Sequence, residues 1–134
     1  MNLVAYLSFE GKCEEATRFY CEVLGGTGYN IDIYKNAPID CPEEYKEKVL
    51  HGEFVFNGNK IFFSDAFPGQ KVVFGDSVSL TLEIFDEETL VRVYEQLSEG
   101  GKIIMPLQDT FWGAKFGSFA DKYGIVWSLN FQKS

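Results

Sequence analysis

The chain has 134 residues, enough for one ordinary domain, and its 20 acidic against 12 basic residues give a net charge of −8. This charge disfavours a nucleic-acid partner, because phosphates would be repelled and no basic cluster compensates. No apolar stretch approaches membrane-spanning length and no signal segment opens the chain, so we expect a cytoplasmic protein without a membrane partner.

The first half of the chain predicts one helix among four strands. Apolar and polar residues alternate in four stretches, which predicts strands at Leu3–Phe9, Tyr29–Tyr34, Val49–Phe56 and Lys60–Asp65. After Glu14 and Glu15, apolar residues recur at helical spacing as far as Gly25-Gly26, and this pattern predicts an amphipathic helix. The turn Asn57-Gly58 predicts a hairpin between the last two strands. Segment Asn36–Glu44 predicts a loop, and a plain surface role is favoured over a lid.

The second half repeats this order. Alternation predicts strands at Val78–Phe85, Lys102–Met105, about Gly113–Ala120 and Ile125–Phe131. A helix capped by Asp86 follows the first of them and ends at Gly100-Gly101. In the last strand, the residues expected to face the core are Ile125, Trp127, Leu129 and Phe131. The repeat predicts an α+β fold in which one domain, 1–134, contains two tandem β-α-β-β-β modules, about 1–66 and 77–134, joined by a connector, 67–76.

Several motifs carry a resemblance to a known family. The segment FYCEVLGG, Phe19 to Gly26, resembles the F-Y-x-x-x-L-G segment of the vicinal oxygen chelate superfamily. Two later segments resemble the PhnB-like branch of this superfamily, often labelled 3-demethylubiquinone-9 3-methyltransferase-like. They are PLQDTFWGAKFG, residues 106–117, and Asp121-x-Tyr-Gly-x-x-Trp127. The resemblance implies the glyoxalase/bleomycin resistance fold, in which curled mixed sheets surround a concave cavity. It also implies a homodimer, which would cover unpaired sheet edges.

Members of this superfamily commonly hold one divalent metal through His, Gln or Glu side chains on the first and last strand of each module. Matching the motifs places Val4, Phe62, Ser79 and Ser128 at these positions. None is a carboxylate or an imidazole, so no metal is expected at the usual site. No cofactor is expected either, because the sequence lacks a glycine-rich strand-to-helix loop for a nucleotide-methyl donor. The three cysteines lack metal-binding spacing, which is typical of free thiols: Cys13, Cys21 and Cys41.

The same match predicts which side chains line the concave face. His51 and Glu53 are included because Phe54 and Phe56, on the same strand, have the opposite parity and face the helix. The predicted lining residues are mostly polar: Tyr6, Ser8, His51, Glu53, Ser79, Thr81, Glu83, Ser128 and Asn130. Phe111, Trp112 and Phe116 are candidates for an aromatic wall of a ligand pocket, with core or dimer packing as the alternative.

His51, the only histidine, is the candidate general base, with Glu53 and Glu83 as catalytic partners or as donors of a displaced metal site. A hydrogen-bonded His on a half-exposed strand is the favoured alternative. Three classes of function follow, and a protein that binds a small organic molecule without a metal ranks first. The alternatives are a metal-dependent lyase, isomerase or dioxygenase, and a metal-free enzyme that uses His51.

Overall fold

Residues 1–133 are described by a computed structural model of the protein, in which the chain divides into two units, Met1–Val73 and the residues from Phe74 onward. The first unit contains one α-helix and four strands, which are β1 (Ala5–Phe9), α1 (Cys13–Leu24), β2 (Thr27–Ile33), β3 (Val49–Phe56) and β4 (Asn59–Asp65). Two short 3-10 helices, Tyr34–Asn36 and Glu43–Tyr45, lie between β2 and β3. The second unit contains β5 (Leu80–Glu83), α2 (Glu87–Ser98), β6 (Lys102–Asp109), β7 (Ala114–Ala120) and β8 (Val126–Gln132). No helix within residues 1–133 is long and apolar enough to cross a membrane.

Each unit forms a mixed sheet of four strands with the same topology. The order is β1-β4-β3-β2 in the first sheet and β5-β8-β7-β6 in the second. In both, the first strand pairs in parallel with the last, and the remaining pairs are antiparallel. The predicted α+β fold of two β-α-β-β-β modules is therefore confirmed.

One helix covers one face of each sheet. In the first unit, Phe9, Phe54 and Phe63 are buried, and the ring of Tyr20 on α1 lies 6.4 Å from that of Phe54. In the second, Trp127 and Leu129 are fully buried, as the alternation predicted, whereas Ile125 and Phe131 are only half-buried. The Tyr94 ring on α2 contacts Phe119 edge-to-face at 5.3 Å. Asp86 caps α2 as predicted, since its Oδ1 accepts a 2.8 Å hydrogen bond from the Thr89 N–H.

The bounds of several strands differ from the prediction, and those of β6 and β5 differ most. The strand β6 continues past Met105 to Asp109, through Pro106. Because β6 is the edge strand of its sheet, the missing N–H of proline is tolerated there, and the register with β7 shifts between Met105 and Gln108. The strand β5 is shorter than predicted, since only Leu80–Glu83 pair with β8.

The double glycines that follow the two helices have matching roles. Gly25 and Gly100 adopt left-handed backbone conformations, with φ of 76° and 78°, which glycine reaches without steric cost. Gly26 and Gly101 lie against a neighbouring strand. A Cβ atom on Gly26 would lie 2.7 Å from the Val55 carbonyl oxygen, and one on Gly101 would lie 2.1 Å from that of Ala120. The first glycine of each pair thus ends the helix, and the second lets the chain pass the sheet.

Candidate functional site

The face of the first sheet opposite α1 carries most of the polar residues expected in this unit. Its members project with the opposite parity to the buried phenylalanines, and we call them the first helix-free face: Tyr6, Ser8, His51, Glu53, Phe62 and Ser64. Strand pairing puts Phe62 between Tyr6 and Glu53, and it puts Ser64 beside Ser8. Ser64 is absent from the predicted site, although the alternation of β4 places it on the same face as Phe62, two residues further along.

Tyr6 and His51 form a hydrogen-bonded pair on this face. The Tyr6 Oη lies 3.0 Å from His51 Nδ1, and the hydroxyl donates when the imidazole proton is on Nε2. The Phe62 ring contacts both partners, at centroid distances of 6.1 Å to Tyr6 and 5.2 Å to His51. These contacts orient the imidazole and leave Nε2 outside the pair.

Glu53, proposed from the sequence as a partner of His51, has other partners. Its Oε2 accepts a 2.5 Å hydrogen bond from Asn30 Nδ2, and its Oε1 lies 3.1 Å from Lys60 Nζ. The Asn30 hydrogen bond, and then Lys60, lower the pKa of the Glu53 carboxyl, so this group is ionised at neutral pH and is a weak base. Asn30 reaches it from a left-handed backbone conformation, φ 50°, at a register shift in β2.

A second register shift, in β3, lies next to His51. Asp32 pairs with His51, but Ile33 pairs with Val49, so β3 contains one extra residue, a β-bulge at Leu50. Bulges redirect side chains, and Leu50 lines the same cleft as Tyr6, described below.

Asp65, at the end of β4, holds the bulge in place. Its Oδ2 accepts a 3.0 Å hydrogen bond from the Val49 N–H, and its Oδ1 accepts one of 2.9 Å from the Cys13 N–H at the start of α1. Asp65 is 1% exposed. Burial and the Asp65 charge raise the pKa of the Cys13 thiol, which is therefore protonated and a poor nucleophile. Asp65 is absent from the predicted site, although an acidic residue on the core-facing side of β4, with Ile61 and Phe63, is visible in the sequence.

A cleft of about 400 Å³ opens on this face. The strands supply its floor and the segment after β4 supplies one side, and the lining residues are Tyr6, Ser8, Tyr34, Leu50, Ser64, Asp65, Ala66, Phe67, Gln70, Lys71 and Val72. The volume lies within the range that small-molecule sites occupy.

Two tyrosines fix the side of the cleft that follows β4. Tyr34 Oη donates a 2.7 Å hydrogen bond to the Asp65 carbonyl oxygen, and Tyr45 Oη donates to that of Ala66. Burial, with Asp65 as the second cause, raises the pKa of Tyr45 to about 12, so it remains a donor. Tyr45 follows the predicted loop Asn36–Glu44, and its hydrogen bond ties this end of the loop to the chain beyond β4.

The second sheet has its own helix-free face. Strand pairing forms two short rows, with Ser128 between Thr81 and Ser118, and Asn130 between Glu83 and Phe116. Ser79 lies just before β5 and is exposed, as are Thr81 and Glu83. Ser118 is only 8% exposed, and it is absent from the predicted site. Ser118 lies next to the buried Phe119 in β7, so the alternation along Ala114–Ala120 predicts that the Ser118 side chain lies on the opposite, helix-free face.

Phe111 and Trp112 occupy the turn between β6 and β7. Their rings meet edge-to-face at 5.0 Å, and both are exposed, Phe111 by 98% and Trp112 by 54%. The turn is held by hydrogen bonds from the Ala114 N–H to Thr110 Oγ1, 3.0 Å, and from the Thr110 N–H to the Ala114 carbonyl, 2.8 Å. Core packing within the chain therefore does not explain either aromatic.

The positions matched to metal ligands do not fit a metal. In the first unit, Val4 has no donor atom, and the ring of Phe62 packs on Tyr6 and His51. In the second, Ser79 and Ser128 offer only neutral hydroxyls. Among residues 1–133, no group of three or more His, Cys, Asp or Glu side chains is arranged to hold a metal ion.

Comparison with known proteins covers nearly the whole chain. The family model of 3-demethylubiquinone-9 3-methyltransferase matches residues 1–130. Protein YjdN of Escherichia coli (strain K12) is 32% identical over 99% of this chain and 97% of its own. The solved structure of the PhnB protein from Bacillus cereus is 31% identical, covers 98% of this chain and 99% of that chain, and has a TM-score of 0.84.

A more distant likeness concerns the fold alone. The glyoxylase/bleomycin resistance protein/dioxygenase domain from Frankia sp. EAN1pec has a TM-score of 0.71 at 16% identity, over 99% of this chain and 98% of that domain. The two four-stranded mixed sheets of this chain are those of the glyoxalase/bleomycin resistance fold.

Proposed function

The chain belongs to the 3-demethylubiquinone-9 3-methyltransferase family, in its PhnB-like branch, and from this premise we propose that it binds a small organic molecule without a resident metal ion. The name of the family is not evidence that this chain catalyses methyl transfer. A nucleotide-methyl donor is usually held at a glycine-rich turn of a doubly wound parallel sheet, and both sheets here are mixed.

The observation that carries the proposal is the cleft on the first helix-free face. It combines aromatic rings, Tyr6 and Phe67, with hydroxyl groups and one ammonium group, which is the mixed lining typical of small-molecule sites. The metal-free part rests on donor chemistry, since the four matched positions supply neither imidazole nor carboxylate.

The test is elemental analysis of the purified protein together with a thermal-shift screen of small aromatic molecules. A compound at about 100 times its Kd stabilises the native state by about 2.7 kcal/mol, which raises the Tm by several degrees. We expect such a compound to be found, and we expect no stoichiometric metal. Near-stoichiometric zinc, iron, nickel or manganese, removed by chelation with loss of an activity, would contradict the metal-free proposal.

Trp112→Ala tests whether the exposed aromatic turn of the second unit binds a ligand of its own. We expect the rise in Tm to disappear for a compound that stacks on this turn, because an exposed indole is a surface on which a planar ligand can stack, while the Tm of the free protein changes little. Phe85→Ala is the matched control, since Phe85 is 91% exposed and lies outside the turn. An unchanged response to every screened compound would remove this turn from the binding surfaces of the protein, and only a collapsed protein would make Trp112 a packing residue.

A metal-free enzyme is the second candidate, and the Tyr6–His51 hydrogen bond favours it. A tyrosine that orients an imidazole leaves Nε2 available as a general base. Glu53 is less suited to assist, because Asn30 and Lys60 already hold its carboxylate. Recovery of the bound compound unchanged after incubation would support binding alone, whereas turnover lost in His51→Gln would favour the enzyme.

A homodimer and a cytoplasmic location belong to the same proposal. The edge strand β6 exposes three consecutive apolar residues, Ile103, Ile104 and Met105, and the edge strand β2 exposes Tyr29 and Ile31. Unpaired apolar edge strands promote uncontrolled edge-to-edge association, and a specific dimer that covers these edges would prevent it. The three free thiols are typical of a reducing compartment.

Sedimentation at micromolar concentration is expected to show a species of twice the chain mass. Ile104→Lys should shift this species towards the monomer, because a buried lysine without a partner is costly at an interface. Val78→Lys is the control, since Val78 is exposed but lies outside the strands. A wild-type protein that sediments only as a monomer would contradict the dimer.

A further inference from the structure

The polar groups that line the cleft fall into two sets, and the first set is already engaged. Both carboxylate oxygens of Asp65 accept backbone hydrogen bonds, from the Cys13 and Val49 N–H groups. Tyr34 donates its hydroxyl proton to the Asp65 carbonyl, and Tyr6 is hydrogen-bonded to His51. The one carboxylate of the cleft is thus occupied by the protein itself.

The second set has no partner within the described chain. The side chains of Ser8, Ser64, Gln70 and Lys71 line the cleft, and none makes a side-chain hydrogen bond or ion pair within residues 1–133. Ser8 and Ser64 are direct neighbours in the parallel pairing of β1 and β4, so their hydroxyls lie side by side on one face. Lys71 is the only positively charged residue of the lining.

The segment that carries Lys71 is anchored on both sides of it. The Gln70 N–H donates a 2.9 Å hydrogen bond to the Phe67 carbonyl, across a turn in which Gly69 has a φ of 86°. The Val72 N–H donates to Glu10 Oε1 at 3.0 Å, and Glu10 itself does not line the cleft. A cation on an anchored backbone loses less freedom when it binds an anion.

From this division we infer that the ligand of the cleft carries a carboxylate attached to an aromatic or aliphatic body. Two hydroxyl donors and an ammonium group suit the oxygens of a carboxylate, because hydrogen bonds to an ionised acceptor are the stronger ones. Leu50 and Phe67 supply apolar area for the rest of the molecule. The inference rests on the proposed function, since it names the ligand class of the same site.

A pair of probes of equal shape and different charge provides the test. The ¹⁵N-labelled protein is titrated with 3-phenylpropanoate and, separately, with 3-phenylpropanamide, and the backbone amide signals of Ser8, Ser64 and Val72 are followed. The acid is expected to bind at these amides about tenfold more tightly than the amide, since one charge-assisted contact has about this effect.

Two lysine variants assign the effect to the cleft. Lys71→Gln should remove the tenfold preference for the acid, while Lys35→Gln should keep it, because the exposed Lys35 pairs with Glu47 and does not line the cleft. Equal affinity for both probes at these amides would overturn the carboxylate subsite and leave the proposed function standing. Signal changes confined to other amides, or none with either probe, would also overturn the subsite, and the wider thermal-shift screen would then decide the proposed function separately.

Discussion

Replacing Asp65 with alanine is expected to lower the free energy of unfolding by about 3–5 kcal/mol, because it removes two buried charge-assisted hydrogen bonds and leaves two buried N–H donors without acceptors. Those donors belong to Cys13, at the start of α1, and Val49, at the β-bulge beside His51. A loss of this size is a large part of the stability of an ordinary domain. Urea denaturation, followed by circular dichroism, measures it.

Two further variants identify the cause. Asp65→Asn keeps one acceptor oxygen but turns an amide NH₂ towards the other N–H group, so we expect an intermediate loss. Asp109→Ala removes an exposed aspartate that pairs with Lys133 and should change stability little. An Asp65→Ala protein as stable as Asp109→Ala would show that the buried carboxylate does not hold the fold.

The same variant links the fold to the candidate site. If Asp65 positions the bulge, Asp65→Asn should also weaken the response to any compound that stabilises the wild-type protein, even where the variant remains folded. The reason is that Leu50 and His51 follow directly from the residue that Asp65 holds. An unchanged ligand response in folded Asp65→Asn would separate the carboxylate from the site.

Replacing Gly101 with alanine is expected to cost about 3 kcal/mol or more. Its Cβ atom would lie 2.1 Å from the Ala120 carbonyl oxygen and 2.9 Å from backbone atoms of Asp121. These are main-chain atoms of β7 and the turn that follows it, so relief requires the strand to move, and overpacking of this kind is strongly destabilising. The midpoint of thermal or urea unfolding measures the change.

Neighbouring glycines give graded controls. Gly100→Ala should cost about 1–2 kcal/mol, since it places a side chain in the left-handed conformation without a close contact. Gly75→Ala should be neutral or slightly stabilising, because no atom lies within 4 Å of its added Cβ and its φ is not positive. A Gly101→Ala protein no less stable than Gly100→Ala would contradict the close-approach role.

The order of helices and strands was determined by the sequence itself, because the helical and strand periods and the glycine turns are local signals. The prediction of Val49–Phe56 agrees with the bounds of β3, and the Asp86 cap and the burial of Trp127 and Leu129 are confirmed. The repeat of these signals was sufficient to predict two modules of one topology. From Phe62 and Ser128 at the positions matched to the family's ligands, the sequence also predicts that the usual metal ligands are absent, and this stays a prediction.

Only the tertiary structure decided the partners of the site residues, because those partners are distant in sequence and depend on strand register. Asp65 reaches Cys13, 52 positions away, and Tyr6 rather than Glu53 is hydrogen-bonded to His51. The bulge at Leu50 interrupts the alternation on which a parity argument depends, and the cleft also needs a segment, 66–72, that has no periodicity. Alternation predicts which side of a strand a residue takes, but pairing across strands determines which donor meets which acceptor.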